Sequence, residues 1–531
     1  MTLSYDQLPY PSYAYGATHP DTLATLATLL GMSPAPVEHC RVLELGCASG
    51  GNLIPMALGL PQSEFLGIDY SSRQIADGQV ALAALGLGNI ELRHTNILEV
   101  KADLGQFDYI ITHGVFSWVP ELVRDKLLEI CRENLAPNGV AYVSYNTYPG
   151  CYMHRGIREM MLYHIREVVE PQMRVTQARR LLEFLVESMP ADADASASLI
   201  NAYSHALRRE SERWESSSDS ALFHDRLAEV NEPIYFYQFV ERVTQHGLQY
   251  LADADFSATY SGNLPPAVQS ELFRLAHSFV ELEQYVDFVL SMAFRRSLLV
   301  HQEVSIQRSI QADRVRTLCA ASPATPVSFS PDISSGAIEQ FRGSDGAALS
   351  TDHPVSKGAM LILGEVWPQS VPFDALLNAA YSRLDADAVN TPERRARDAQ
   401  TLCSNLLKSF TTSDRLVELH SYAPRLVTQA TERPVASLWA RYLAQQSRQV
   451  TNMRHENVDL SERERYLVCQ LDGSRDHAML LDDLDGLRTR GLLTIERNGA
   501  VVQDAQEARE IIAADMEHDL RMLAHAALVV A

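Results

Sequence analysis

The sequence predicts an α/β protein built on an open, largely parallel sheet that holds a nucleotide-like ligand at its strand tips. Three observations predict it. Residues 41–52, RVLELGCASGGN, run from a short apolar stretch (Val42, Leu43, Leu45) directly into Gly46, Gly50 and Gly51, the pattern of a buried strand turning tightly into a helix. Asp69 ends the next apolar stretch, FLGID, nineteen residues after Gly50, where a carboxylate at a strand tip accepts ribose hydroxyls. Helical and strand patterns then alternate to residue 146, as a parallel sheet requires.

Ahead of the sheet, residues 5–19, YDQLPYPSYAYGATH, show no helix or strand period and carry Tyr5, Tyr10, Tyr13 and Tyr15. Such an arm has no core of its own and needs another surface on which to bury its rings. Together with a helix capped by Asp21 and stopped by Gly31, it makes residues 1–36 an arm and helix expected to act as a lid over the bound ligand, with plain packing on the outside of the sheet as the alternative. In the glycine turn, Glu44 separates two ligand classes. A pyrophosphate on a helix N-terminus disfavours a carboxylate, whereas S-adenosylmethionine brings an ammonium and a sulfonium and no phosphate. FLGID is the second strand, SSRQIADGQVALAALG a helix, and IELRHTNIL the third strand and its tip. The fourth strand, around Tyr109–Ile111, ends in His113, Gly114 and Trp118; a helix over 121–136 leads through Pro137-Asn138-Gly139 into a fifth strand ending in Tyr145, Asn146 and Tyr148. Strand tips of open α/β sheets are where ligands bind, so these residues are candidates for the site.

The run 41–52 resembles motif I of the class I methyltransferases, with Ala48 where a middle glycine is common. The opening YDQLPYPSYAYGATHPDTLATLATLLGM and the runs HGVFSWVP and SYNTYPGCYMHRGIREMM look like bacterial methyltransferases that carry a methyltransferase regulatory domain. That group includes the rickettsial-type lysine methyltransferases of outer-membrane protein. FHDRLAEVNEPIYFYQFVERVTQHGLQYLADADF and EQYVDFVLSMAFRRSLLVHQ are similar to the regulatory domain itself, so the resemblance covers most of residues 1–303 and, more loosely, the remainder. It implies S-adenosyl-L-methionine as cofactor, met by Glu44, Gly46, Cys47, Ala48, Gly50, Asn52, Asp69, Tyr70, Asn96, Ile97, His113 and Gly114. Asn96 stands where an Asp usually meets the adenine amino group, and its amide oxygen can accept the same hydrogen bond.

The resemblance also implies a protein lysine as methyl acceptor. Tyr145, Asn146 and Tyr148 would supply hydroxyl and amide groups around its nitrogen, with His113 as a base or an orienting group. The Asn/Asp-Pro-Pro-aromatic signature of many amino-group methyltransferases is absent after the fourth strand. A small-molecule methyltransferase and a non-catalytic cofactor-binding protein therefore remain as alternatives, while Glu44 disfavours a dinucleotide oxidoreductase.

Residues 153–216 read as long helices, broken near Pro171 and at the Ala/Asp/Ser tract 191–198. A helix from Pro233 to His246 stops at Gly247, and LQYLAD and RRSLLVHQ (295–302) have the length and apolar character of the two strands the sheet still lacks. The Rossmann-like domain is thus placed at 37–303, including a helical insertion at 150–228 and a regulatory region at 217–303. Residues 304–353, rich in Ser, Pro and Gly with a hairpin signal at Ser344-Asp345-Gly346, read as a linker or middle segment. Residues 354–531 read as a mainly helical, winged-helix-like region, with a capping box at Ser461 and Glu464, a helix over 475–484 and a hairpin around Asn498-Gly499. That half is expected to have a protein-binding or packing role, and its removal to leave cofactor affinity within a few-fold while abolishing methylation of a protein acceptor.

With 531 residues the chain is long enough for two to four domains. A net charge of −22 argues against nucleic acid and leaves room for a basic protein partner. Seven scattered cysteines without a CxxC pair indicate reduced thiols in a cytoplasm and no metal site. The N-terminus has no basic and apolar leader pattern, and no apolar run reaches eighteen residues, so neither secretion nor membrane insertion is expected. A homodimer is compatible with this composition.

Overall fold

The computed structural model describes residues 10–189, 199–215, 217–384, 391–497 and 500–530. Seven strands, β1 (Arg41–Leu45), β2 (Glu64–Asp69), β3 (Ile90–His94), β4 (Phe107–Thr112), β5 (Leu135–Asn146), β6 (Leu248–Asp253) and β7 (Phe294–His301), form one mixed sheet in the order β3-β2-β1-β4-β5-β7-β6. Strands β1 to β5 pair in parallel, and β7 runs antiparallel to both β5 and β6. The two late segments read as strands therefore do complete the sheet. Its order reverses between β1 and β4, which opens a crevice at the carboxyl ends of those strands.

Alternation along β5 decides which side chains reach which layer. Val140 and Tyr142 face the layer that holds the helices Pro20–Leu29 and Leu53–Gly59, whereas Ala141, Val143 and Tyr145 face the layer of Glu121–Asn134 and Phe236–Gln245. Pro137–Gly139 is not a separate turn. The strand already starts at Leu135, and a shift of its register against β4 between Phe107 and Tyr109 takes up the extra residues. The first helix is capped by His19, whose Nδ1 accepts from the Asp21 N–H at 3.2 Å, and not by Asp21, whose carboxylate is used elsewhere.

The insertion after β5 folds the helices Cys151–His164, Pro171–Glu187, Leu199–Glu215 and Asp219–Arg226 around Trp214, Leu207 and Leu182. The tract 191–198 lies outside the described residues. Residues 304–353, read as a linker, instead carry the short strands β8 (Cys319–Ala321), β9 (Thr325–Pro326), β10 (Glu339–Arg342) and β11 (Ala348–Thr351). They share one core with the helices Pro354–Val366, Phe373–Tyr381 and Pro392–Thr412. The abundance of Ser, Pro and Gly there reflects tight turns between short strands, and β10 and β11 do form a hairpin about Ser344–Gly346.

Beyond residue 430 come the helices Glu462–Gln470 and His477–Thr489, a two-stranded hairpin (Glu496–Arg497 with Ala500–Val501) and a closing helix Ala505–His525, the element order of a winged helix. The Ser461–Glu464 capping box is present; the turn Asn498-Gly499 lies outside the described residues. Among the described residues, no helix is long and apolar enough to cross a membrane.

The antiparallel strand β7 is anchored by a buried charge. Arg295 is fully buried, donates to Asp287 Oδ1 at 2.7 Å and Glu283 Oε2 at 2.9 Å, and lies 4.3 Å over the Phe236 ring. Asp253 lies 3.7 Å away as a third acid, so replacing Arg295 would leave three carboxylates buried beside the sheet without this counter-charge. We predict that Arg295→Met lowers stability by about 3–5 kcal/mol, read as a fall in the thermal midpoint of the sheet transition. A change within experimental error would mean that the cluster neutralises itself by protonation.

Candidate active site

The glycine turn after β1 is built as a cradle. Gly46 and Gly50 have φ of +83° and +80°, and Ala48 follows them into the left-handed region at +50°, where an alanine is strained. This conformation aims the Ala48 N–H at Asp69 Oδ2 (2.9 Å), while Asp69 Oδ1 accepts from Ser71 N–H at 2.8 Å. Each Asp69 oxygen keeps a lone pair for a ribose hydroxyl. Burial raises the Asp69 carboxyl above its ordinary range, and the backbone N–H bonds work against that shift. Beyond it, Tyr70 is 53% exposed and stacks on His94, offering a ring face at the nucleoside end. Asn96 and Ile97 are half-buried at the tip of β3; the Asn96 amide oxygen accepts from Leu98 N–H at 3.0 Å and retains a second lone pair.

At the other end of the cradle Glu44 is buried. Its Oε1 accepts from Asn52 Nδ2 at 2.8 Å, and its Oε2 has no hydrogen-bond partner. Burial pushes its carboxyl up to about 8, opposed by the Asn52 bond and supported by the nearby Asp69 charge. An orphaned buried carboxyl oxygen at this corner fits a ligand that carries its own positive charge. S-adenosylmethionine has that charge and a ribose to match Asp69, so the residues present fit the group.

Cys47 and Asn52 take other parts. The Cys47 thiol packs against Gly67 in the sheet, where an added Cβ would stand 2.8 Å from its sulfur, so only its backbone belongs to the turn. Asn52 uses its whole amide inside the protein. Nδ2 donates to Glu44 and to Thr18 Oγ1 (3.0 Å), and Oδ1 accepts from the Tyr15 N–H (3.0 Å) and from His455 Nε2 (2.8 Å). No capacity remains for a cofactor.

Strand β4 ends in His113, whose Nδ1 is tied to the Tyr142 hydroxyl at 2.8 Å; Gly114 follows at φ +68° and donates its N–H to Ser144 Oγ at 2.8 Å. Burial, with Arg296 nearby, pushes His113 down to about 3, so its ring is neutral at physiological pH and too weak a base to take a proton. Of the β5 candidates, Tyr145 is 1% exposed, stacks on Phe239 and shares a hydrogen bond with Ser297, on the face away from His113. The residue that reaches the site is Tyr142, three positions earlier and on the opposite face. Asn146 donates to Asn231 Oδ1 (3.0 Å), and the buried Tyr148 accepts from Arg155 at 2.8 Å beneath the helical insertion. Both lie beside the site and do not face His113.

Three contributors were missed in the sequence. Tyr15 stacks on His113 with ring centroids 3.9 Å apart. Asp225, at the end of the insertion, accepts from Tyr10 OH at 3.3 Å and is pushed up to about 6 by burial. His455 enters from the far end of the chain. The tyrosine spacing was the one signal in the sequence for the first of these, and nothing in it pointed to the other two.

The arm lies across the turn: Gly51 donates its N–H to Ser12 Oγ at 2.8 Å, and a Cβ on Gly51 would collide with the Ser12 carbonyl. It is held from above by the C-terminal half. Asn457 donates to the Ala14 carbonyl (2.9 Å), and Asp21 accepts from His420 (2.7 Å) and Ser421 N–H (2.6 Å). Trp439 joins the core of the sheet layer. The stretch 418–457 thus packs on both the arm and the sheet layer. Between arm, strand tips and C-terminal half lies a cavity of about 550 Å³, with Tyr15, His113, Tyr142 and Phe294 at its sheet end.

A sheet of this order, with an acid before the glycine turn and another at the second strand tip, defines an S-adenosylmethionine-dependent methyltransferase. Known proteins agree. Residues 43–141 match the family described as Methyltransferase domain, 218–301 that described as Predicted methyltransferase regulatory domain, and 432–528 that described as PKMT, C-terminal winged helix domain. An uncharacterized protein of Rickettsia prowazekii is 34% identical over 516 residues, 95% of this chain and 90% of that one. A second from that organism is 36% identical over 249 residues, 47% of this chain and 97% of its own. The structure of PKMT2 from Rickettsia typhi superposes with a TM-score of 0.85 at 29% identity, covering 98% of this chain and 100% of that one, and PKMT2 is also known in complex with AdoHcy. The chain belongs to this family of methyltransferases, which join a catalytic domain, a regulatory domain and a PKMT-type winged helix.

Glu44 gives the cofactor site a proton signature. Its folded pKa, raised from 4.5 to about 8, means that it is protonated near pH 7 and ionises when a cation arrives. We predict that AdoHcy binding at pH 7 releases roughly one proton, measured by calorimetry in buffers of different ionisation enthalpy, and that Glu44→Gln abolishes the release. The same raised pKa contributes stability that is complete below the unfolded value and lost as pH rises through about 8. Cofactor-free Glu44→Gln protein should accordingly lose less thermal stability than wild type between those limits. Equal proton release in both proteins would remove Glu44 from the cofactor site.

Proposed function

We propose that this methyltransferase acts on the side-chain amine of lysine in a protein, with the arm as a fixed roof over the transfer site. The observation that carries the proposal is the chamber ending at Tyr15, Phe294 and neutral His113. It is an aromatic throat whose floor sets neutral His113 beside the Arg296 guanidinium, itself held by Asp255, and a cation there favours loss of charge from a terminal nitrogen carried on a methylene stem. The resemblance to rickettsial-type lysine methyltransferases supports the same acceptor. The cofactor supplies an electrophilic methyl group on a sulfonium.

What the chain adds is alignment and exclusion of water. Glu44 and Asp69 fix the two ends of the donor, and Tyr15 and Phe294 flank the path to it. Tyr142 holds the His113 ring at Nδ1, which leaves Nε2 to orient the incoming nitrogen. The ammonium proton is lost to solvent before transfer, favoured by the desolvating walls, since the ordinary lysine pKa is about 10.4. A small-molecule acceptor would not account for the C-terminal half reaching into the chamber.

Two outcomes test the proposal. Incubating the protein with labelled cofactor and a lysate of the source cells should place label on lysine in the protein fraction, located by mass spectrometry; label confined to small molecules would end the lysine reading. In addition, kcat should rise with pH as the amine deprotonates and show no inflection from His113 above pH ~5, while His113→Gln should cost roughly 10–100-fold in kcat with AdoHcy affinity within a few-fold. An acid-limb inflection near neutrality that disappears in His113→Gln would restore His113 as the base.

A further inference from the structure

A second pocket, of about 190 Å³, opens beside the methyl-transfer chamber and shares the Phe294 wall with it, and the Phe294 ring centroid stands 6.0 Å from that of His113. Its lining is unlike the rest of a chain that carries a net charge of −22. Arg155, Arg158, Arg213 and Arg226 converge on it from the insertion helices, together with His154. Glu210 pairs with Arg226 (3.0 Å) and more loosely with Arg213 (3.9 Å), and Glu159 pairs with Arg155 (2.9 Å).

Arg158 is left over. Among the described residues it has no carboxylate within 4 Å; its Nη2 reaches the Ala228 carbonyl, and its buried Nε has no hydrogen-bond partner. Burial pushes its guanidinium below the usual arginine value; the Glu159 charge opposes that shift and the Arg155 charge adds to it. An arginine held half-buried next to another cation, with a donor unused, is stabilised by whatever anion enters. Planar guanidinium groups favour carboxylate and phosphate oxygens, which accept two N–H bonds side by side.

We propose that this arginine pocket is a specificity subsite that binds a carboxylate of the protein acceptor, from an Asp or Glu close to the methylated lysine. The inference rests on the lysine reading given above. The shared Phe294 wall sets the spacing: one side chain enters the chamber toward His113 while a neighbour in the same segment enters the arginine pocket. The subsite selects acidic segments that the overall negative charge of the protein would otherwise repel.

The test compares lysine peptides that carry Glu or Gln one to four residues from the lysine, with the full-length protein. Wild type should favour the Glu peptide in kcat/KM by about tenfold or more, the scale of one charge-assisted hydrogen bond. Arg158→Gln should bring the ratio close to unity. Arg155→Gln, at a more exposed position, should reduce it as well, and AdoHcy affinity and the thermal midpoint report whether each variant is folded. Equal use of the two peptides by wild type would overturn the subsite. If no lysine peptide were methylated, the lysine reading would fail, and binding of the same fluorescently labelled peptides to the AdoHcy-loaded protein would decide the pocket. Tighter Glu-peptide binding that Arg158→Gln removes would uphold it, and equal binding would overturn it.

Discussion

The site depends on one buried amide. Asn52 stands where the glycine turn becomes a helix, and its four hydrogen-bonding positions are all taken: Glu44 and Thr18 by its two N–H bonds, the Tyr15 N–H and His455 by its two lone pairs. Burial keeps His455 neutral, and its bond to the accepting Asn52 Oδ1 places the ring proton on Nε2. Through this one side chain the cofactor corner, the arm that roofs it and the C-terminal half are fixed to each other. An amide works here because it offers two donors and two acceptors in one plane. Neither a carboxylate nor an apolar residue could satisfy the same four neighbours.

That arrangement explains why the chain is long. The catalytic sheet alone would leave the arm with bonds on one side only. The middle strand Glu418–His420 and the turn at Met453–Asn457 supply the other side, and they close the chamber at the strand tips. His420 sits between Asp21 and Glu418. Burial alone would depress it, but the two carboxylates hold it up to about 9, so it is a cation at neutral pH and bridges the first helix to the middle domain. The regulatory region is equally structural: β6 and β7 finish the sheet, and the charge cluster about Arg295 locks the last strand in place.

Much of the catalytic half was legible in the sequence because its signals are local. The glycine turn, the acids at Glu44 and Asp69, the late strands and the Ser461 capping box each declare themselves within a few residues. What was misread depended on parity or on distance. Tyr145 and Tyr142 differ by an odd number of residues, so they point to opposite faces of β5; a strand tip that looks equivalent in sequence has one residue of the pair in the site and the other in the core. Asp21 resembles a helix cap, but its true partners lie some 400 residues away. Asn52 resembles a cofactor ligand because it ends the motif, and only the fold shows that its bonds are used up. Short strands joined by tight turns at 319–351 have the composition of a linker.

The central claim is that the C-terminal half and the cofactor corner are coupled through Asn52. A double-mutant cycle of Glu44→Gln and His455→Ala, read out as AdoHcy affinity by calorimetry, tests it most directly. The account predicts non-additive effects, with a coupling of about 0.5–3 kcal/mol, as expected for residues in one hydrogen-bond network. Effects that add to within about 0.3–0.5 kcal/mol would contradict it, and the C-terminal half would then be a cover that the cofactor site does not sense.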